Sequence, residues 1–107
     1  MITNKERQRR IAERRQEVTR LRADPDTPRK MFWLSFADET GNLGGCLVDD
    51  VVNIMDAVDK SHRLGINPGG EIMFVEVDPT VVPPGHPVNA LLSMADIRAW
   101  DKRVVQS

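Results

Sequence analysis

The sequence contains one cysteine, no tyrosine and no long hydrophobic run. Because the single cysteine, Cys46, cannot form an intrachain disulfide, the fold is expected to depend on its apolar core, and a reducing compartment suits it. No segment approaches the ~20 consecutive apolar residues that cross a bilayer. The charged segment TNKERQRR (3–10) lacks the apolar stretch of a signal peptide. We therefore predict a cytoplasmic protein that makes no contact with a membrane.

The small net charge hides a basic N-terminal segment. Residues 1–30 contain ten Lys and Arg against five Asp and Glu, whereas the remaining residues contain five against eleven. Such asymmetry is typical of contact with nucleic acid, with an acidic protein surface or with the body of a neighbouring copy. A chain of 107 residues suits one core. We divide it into a basic helical arm (1–24), a proline-containing linker (25–30) and a core domain (31–107).

The arm is predicted to be one solvated helix. Residues 4–23 contain neither Gly nor Pro and are rich in residues that favour helices. The apolar positions Ile11, Val18 and Leu21 form a stripe that is too short for a coiled coil. We predict that this stripe packs weakly or mediates homo-oligomerisation. Nucleic-acid binding is less favoured, because glutamates alternate with the arginines and no aromatic residue is present for base stacking.

The core is predicted to contain three strands. Residues 31–38 alternate between two faces, both of which carry apolar groups, and residues 43–48 return as their hairpin partner. Gly44 and Gly45 within the returning strand predict a bulge or a close approach of another backbone. Residues 71–78 alternate in the same way and form the third strand.

Two further helices complete the core. Helical periodicity runs from Asp49 to Leu64, with Asp49 or Asp50 as the N-terminal cap. Asp56 and Asp59 are predicted to lie on the solvated face of this helix.

The last helix is marked by a variant of the capping box, with Ser93 as the cap and Asp96 in place of the usual glutamate. The predicted fold class is therefore α+β. A small three-stranded antiparallel or mixed sheet forms a ββαβα core, preceded by the N-terminal basic helical arm.

The stretch LGINPGGE (64–71) has two interpretations. As a connector, Gly65 closes the preceding helix and Asn67 opens a type II turn whose third residue, Gly69, requires a positive φ. As a binding loop, Gly69 and Gly70 present main-chain amides to an anion, and His62 and Arg63 add cationic donors. The residues alone favour the connector. The spacing is not that of a phosphate-binding P-loop.

No motif for catalysis is present. Cys46 and His62 are a conceivable nucleophile pair, but no flanking signature accompanies them, and a cysteine on an apolar strand is most often a small buried hydrophobe. One cysteine and two histidines lack the spacing of zinc ligands. We therefore predict that the protein is not an enzyme and has neither a metal nor a cofactor.

Trp33 has two interpretations, as a core residue or as part of a ligand site. It lies on the face of its strand opposite to Phe32, Leu34 and Phe36, so it packs in a second core layer or offers a stacking surface to a ligand. Its indole N–H needs a hydrogen-bond partner when buried. Core packing is the simpler interpretation.

The combination of WLSFAD (33–38), LGGCLV (43–48) and LGINPGGE (64–71) resembles a family of short, largely uncharacterised proteins of phages and prophages. The resemblance covers residues 31–78 and extends to LLSMADIR (91–98). LGINPGGE is its specific part, and the basic arm lies outside it. The resemblance implies the cytoplasm of a bacterial host and carries over no catalytic or binding role.

A phage origin implies a function for a chain without catalytic motifs. Small accessory phage proteins often act by stoichiometric binding, and one class sequesters nucleotide-type immune signals of the host. From the resemblance we expect a counter-defence sponge for a cyclic or ADP-ribose-type nucleotide. Because a domain this small offers little concave volume, we expect its pocket to lie between protomers. The candidate ligand-binding residues are Trp33, His62, Arg63, Asn67, Gly69 and Gly70. The alternatives are a protein-interaction or oligomerisation module that docks through its N-terminal helix, and a nucleic-acid-associated accessory protein.

Overall fold

The computed structural model describes residues 3–106, with side chains described up to residue 100. The elements in chain order are α1 (Asn4–Ala23), β1 (Lys30–Asp38), β2 (Gly41–Val51), α2 (Ile54–Arg63), β3 (Glu71–Val77), a 3-10 turn (Pro79–Val81) and α3 (Met94–Gln106). The strands form one antiparallel sheet in the order β2-β1-β3. The predicted α+β class, with three strands and an N-terminal helix, is confirmed. Within the described residues, no helix combines the length and the apolar character that a membrane crossing requires.

The central strand β1 separates two apolar layers. Its residues Phe32, Leu34 and Phe36 are buried together with Ala57 of α2, so α2 covers this face of the sheet. Trp33 points to the opposite face because successive side chains of a strand alternate. That second face is covered by the loop after β3 and by the first turns of α3. The part of the sheet formed by β1 and β2 is therefore covered on both faces, whereas the middle of β3 is exposed.

The start of α2 differs from the prediction. The helix begins at Ile54 and its cap is Asn53, whose side chain accepts a hydrogen bond from the Asp56 amide at 2.9 Å. Asp49 and Asp50 belong to β2 and do not cap the helix. The reason is tertiary, because β2 continues to pair with β1 as far as Val51, beyond an irregularity in the register.

The prediction that Asp56 lies on a solvated face is wrong. Asp56 is buried at the contact between α1 and α2. One of its oxygens accepts hydrogen bonds from Arg22 Nη1 at 2.6 Å and from the Val52 amide at 2.9 Å. Val18 of α1 is also buried, whereas residues 3–17 are all exposed. The last two turns of α1 therefore dock on the core, and its first part extends from it.

The capping box of α3 is confirmed. The Ser93 hydroxyl accepts a hydrogen bond from the Asp96 amide, and the Asp96 carboxylate accepts from the Ser93 amide, each at 3.2 Å. These reciprocal bonds satisfy donors that the first turn of a helix leaves without partners. They also fix where α3 starts relative to the sheet.

The outer edge of β2 is occupied by the segment before α3. Gly45 and Leu92 exchange two backbone hydrogen bonds of 3.1 and 2.8 Å, and the Asn89 amide donates to the Leu47 carbonyl at 2.7 Å. A side chain on Gly44 would collide with the Leu92 carbonyl. The two glycines therefore mark a close backbone approach, as predicted, and that approach holds residues 89–92 against the sheet.

Candidate functional site

The helix-closing role predicted for Gly65 is present in full. Gly65 has a φ of +70°. Its amide donates to the His62 carbonyl at 3.1 Å, and the next amide, that of Ile66, donates to the Ser61 carbonyl at 3.0 Å. This pair of bonds is the Schellman arrangement that ends many helices. The main-chain amides at the start of the loop are therefore used in local folding.

The glycine pair that follows is held by Asn67. The Gly69 amide donates to Asn67 Oδ1 at 2.8 Å, and Asn67 Nδ2 donates to Ser61 Oγ at 3.0 Å. Gly69 and Gly70 both have positive φ, of +92° and +80°. Gly70 also approaches the Ala37 carbonyl so closely that a Cβ atom has no room. These contacts explain the glycines as structural requirements of the connection between α2 and β3.

The cavity beside Gly70 does not suit an anion. Its volume is about 460 Å³, and its lining includes the carboxylates of Asp38, Glu39 and Glu71. Hydrogen bonds from the Thr40 side chain and amide lower the pKa of Asp38, which is therefore ionised at neutral pH. The described lining contains no cation, so phosphate groups would meet repulsion there.

The six predicted ligand-binding residues do not converge on one site. His62 and Arg63 are exposed near the end of α2, and His62 Nε2 lies 3.4 Å from Asn67 Nδ2. Trp33 is on the other face of the sheet, beneath α3. The sheet therefore stands between the indole and the cationic donors that the binding-loop interpretation would combine with it.

A second, mostly apolar opening lies on the Trp33 face, and we call it the aromatic cleft. Its volume is about 400 Å³. Both tryptophans of the chain contribute to it, together with His86 and apolar side chains from the sheet, the loop after β3 and α3. Its described lining consists of Trp33, Leu47, Val75, Val77, Val81, Val82, Pro83, His86, Leu92, Ile97 and Trp100.

Local sequence features explain how the cleft is formed. Gly45 has no side chain, which leaves room for the Trp33 indole, since a Cβ atom at Gly45 would lie 2.5 Å from Cζ2 of that ring. Ile97 and Trp100 are three residues apart on α3 and thus share a helix face. Leu47 and Leu92 are buried and form the floor.

His86 places one polar group in an otherwise apolar lining. Its Nδ1 lies 2.9 Å from the Pro87 carbonyl oxygen, and because a carbonyl oxygen only accepts, Nδ1 must donate. Nε2 is then an acceptor in the neutral ring and makes no hydrogen bond within residues 3–100. The His86 and Trp100 rings are in contact, with centroids 4.7 Å apart and planes inclined by 46°.

The cleft opens to solvent along β3 and the 3-10 turn. Val75 is 55% exposed and Val81 is 70% exposed, so these apolar side chains border an accessible mouth. The described lining contains no Lys, Arg, Asp or Glu. Such a surface favours a flat, largely uncharged ring system that stacks on indole and imidazole faces.

Cys46 is part of the core, as predicted. It lies on β2 and is fully buried in the core cluster that includes Leu34 of β1 and Ala57 of α2, and burial raises the pKa of its thiol to about 11. At neutral pH it is therefore protonated and poorly nucleophilic. Within the described part of the chain, no group of three or more Cys, His, Asp or Glu side chains is placed to hold a metal ion.

The three apolar residues of α1 have different environments. Val18 is 7% exposed and packs within its own chain, Leu21 is half-buried, and Ile11 is 40% exposed. Val18 and part of Leu21, two of the three residues of the predicted oligomerisation stripe, are therefore covered by the rest of the same chain. Ile11 is the member that remains accessible to another molecule.

Comparison of the chain with protein-family models, with curated proteins and with solved structures gave no match. The candidate site is therefore assigned from the geometry of the structure alone. Sequence reasoning included Trp33 among the candidates but missed His86 and Trp100. The apolar spacing of Ile97 and Trp100 on the last helix was the available signal, but it does not indicate which face of the sheet the helix covers.

Proposed function

We propose that the chain is a non-catalytic binding protein that holds a planar, largely apolar ring system in the aromatic cleft. The supporting observation is that Trp33, Trp100 and His86 line one accessible opening of about 400 Å³. Rings of this kind provide stacking energy without a requirement for charge on the ligand. Cys46, the candidate nucleophile of the sequence, is buried in the core and does not line this cleft.

A nucleobase is the ligand class that agrees with the expected sponge for a nucleotide-type immune signal. Its flat face can stack on an indole, and a ring N–H can donate to His86 Nε2. The phosphates would have to remain at the mouth, because the described lining provides no cation. We therefore expect the base to contribute more to affinity than the phosphates.

Tryptophan fluorescence tests this proposal directly, because both tryptophans of the chain lie in the cleft. The protein is titrated with nucleobases, nucleosides, cyclic nucleotides and ADP-ribose. A ligand that stacks in the cleft is expected to change the emission and to raise the melting temperature by linkage. If every member of this panel leaves both signals unchanged, the nucleobase proposal is wrong.

Matched variants separate the cleft from the glycine loop. Trp100→Leu is expected to weaken binding by about tenfold or more, since loss of one stacking contact costs about 1–3 kcal/mol. Arg63→Ala, on the far side of the sheet, is expected to leave the affinity unaltered. Calorimetry reports both affinities independently of the tryptophan signal. Loss of binding in Arg63→Ala with retention in Trp100→Leu would favour the loop and contradict the cleft.

The exposed part of α1 supports a second candidate function, docking on an acidic protein partner. Residues 4–17 contain six Lys and Arg against three Glu and are all exposed. A truncation that removes residues 1–17 retains Val18 and Arg22, so the core contact of α1 survives. Loss of a stoichiometric partner on this truncation would favour the docking function. A strongly salt-dependent affinity for DNA or RNA that the truncation abolishes would favour the nucleic-acid function.

A further inference from the structure

The two edges of the sheet differ in how they are covered. Along β2, backbone groups from Gly45 to Leu47 are bonded to residues 89–92. Along β3, the inner side pairs with β1 over residues 71–77, and no described residue hydrogen-bonds to the outer side. A free edge of seven residues is long enough to pair with another strand.

The side chains of β3 are unusual for an open edge. Soluble proteins protect such edges with central charges, prolines or bulges. In β3 the middle of the strand is apolar, with Met73, Phe74 and Val75 exposed by 75%, 55% and 55%. Met73 and Val75 lie on the cleft face and Phe74 on the α2 face, so a neighbouring strand would cover apolar groups on both faces at once.

We propose that β3 pairs antiparallel with the β3 of a second copy of this chain, giving a continuous six-stranded sheet. Two-fold symmetric pairing requires opposite residues to share a face, and therefore to be separated by an even number of positions. Centring on Phe74, the midpoint of the strand, matches residues 71–77 of one copy with residues 77–71 of the other. Phe74 then faces itself across the axis, and Met73 faces Val75.

The positions of the two carboxylates on β3 are compatible with pairing between two copies of this strand. Glu71 and Glu76 are five positions apart, an odd number, so symmetric pairing never places one directly opposite the other. In the register centred on Phe74, Glu71 faces Val77 and Glu76 faces Ile72. Like charges directly opposite each other would be destabilising, and this register avoids them. Glu76 is also paired with Lys30 at 3.3 Å within its own chain.

The pairing has a consequence for the aromatic cleft, although it does not depend on the proposed function. Val75 forms part of the cleft wall and is 55% exposed. In the proposed register, Met73 of the second copy lies beside this Val75 on the same face. The second copy thus extends the open side of the cleft.

Sedimentation and cross-linking test the pairing and its register. The full chain is expected to sediment with twice its mass of 12.1 kDa. Phe74→Cys places two thiols opposite each other, at a separation that a disulfide can span, and is expected to cross-link under mild oxidation. Wild-type protein, whose Cys46 is buried, and Leu64→Cys on the exposed end of α2 are the controls and are expected to remain unlinked. Equal cross-linking of Phe74→Cys and Leu64→Cys would indicate random collision and overturn the register.

A charge pair provides a second test that keeps Phe74 intact. Met73→Lys alone and Val75→Glu alone are each expected to weaken the dimer about tenfold or more, and the double variant is expected to restore it, because the new charges face each other across the interface. Ile11→Lys, on α1, is expected to leave the dimer unchanged. The proposal is overturned if the wild type is monomeric, or if Ile11→Lys dissociates a dimer that Met73→Lys leaves intact.

Discussion

The Arg22 guanidinium donates across 2.6 Å to the Asp56 carboxylate, which is 3% exposed, and this contact joins the N-terminal helix to the core. The same arginine nitrogen donates to the Asp50 carbonyl at 3.2 Å. One side chain therefore connects α1 both to the end of β2 and to α2. The docked state of α1 is expected to depend on it.

We expect Arg22→Ala to lower the free energy of unfolding by about 1.5–3 kcal/mol, the usual range for hydrogen bonds to a charged group. The carboxylate of Asp56 keeps its bond from the Val52 amide, which limits the loss. Urea unfolding of the single variants Arg22→Ala and Asp56→Ala and of the double variant gives the interaction free energy between the two side chains. Arg9→Ala is the control, because Arg9 is 75% exposed and lies 4.0 Å from Glu13. A coupling near zero would show that the contact does not hold the helix.

The two adjacent loop glycines should respond differently to alanine. Both have positive φ, which costs an alanine about 1–2 kcal/mol. A methyl group at Gly69 meets nothing within 4 Å, whereas at Gly70 it collides with the Ala37 carbonyl. We therefore expect Gly70→Ala to be clearly more destabilising than Gly69→Ala in thermal unfolding. Equal effects would mean that the close approach of Gly70 to β1 does not influence the stability of the protein.

The acid side of the stability profile should depend on Asp49. A hydrogen bond from Asn89 Nδ2 at 2.8 Å, and then the Lys60 ammonium at 3.2 Å, lower the pKa of Asp49 below its usual 3.8. The unfolded state therefore binds this proton at higher pH than the folded state. The stabilisation is complete above the unfolded pKa of about 4 and is lost as the pH falls through the lower folded pKa.

In Asp49→Asn, the free energy of unfolding is expected to fall less steeply below about pH 4 than in the wild type. Denaturant unfolding over a pH series measures this slope. Asp59→Asn is the matched control, because the Asp59 carboxylate makes no hydrogen bond or ion pair with any described residue. An unchanged slope in Asp49→Asn would contradict the assignment.

The thiol of Cys46 should react only after unfolding. Burial raises its pKa to about 11, so the thiolate is scarce at neutral pH and the sulfur is enclosed by core side chains. We expect labelling by a thiol reagent to be slow in native protein and to follow the unfolding transition in urea. Rapid labelling without denaturant would show that the core opens readily around β2.

Local signals predicted the parts of the fold whose causes are local. Ser93 and Asp96 form their predicted capping box, and Gly65 closes α2 with the required positive φ. The strand beginning at Glu71 was predicted within one residue of its observed end. Each of these features depends on residues a few positions apart, which the sequence displays directly.

The errors arose where long-range pairing decides the outcome. β2 continues to Val51 because it pairs with residues of β1, and this delays α2 beyond the predicted Asp49. Asp56 has the position of a surface residue in its helix but is covered by α1. The convergence of Trp33 and Trp100 depends in the same way on Leu92 bonding to Gly45, a contact 47 positions apart in the sequence.

The hydrogen bonds that Asn89 and Leu92 make along β2 also limit how far the sheet can propagate. Filament growth by strand addition needs two open margins on every molecule, since each newly added unit must offer one to the next. This molecule closes one margin with its own chain. Despite the apolar run IMFV (72–75), its folded form is therefore expected to resist fibril formation.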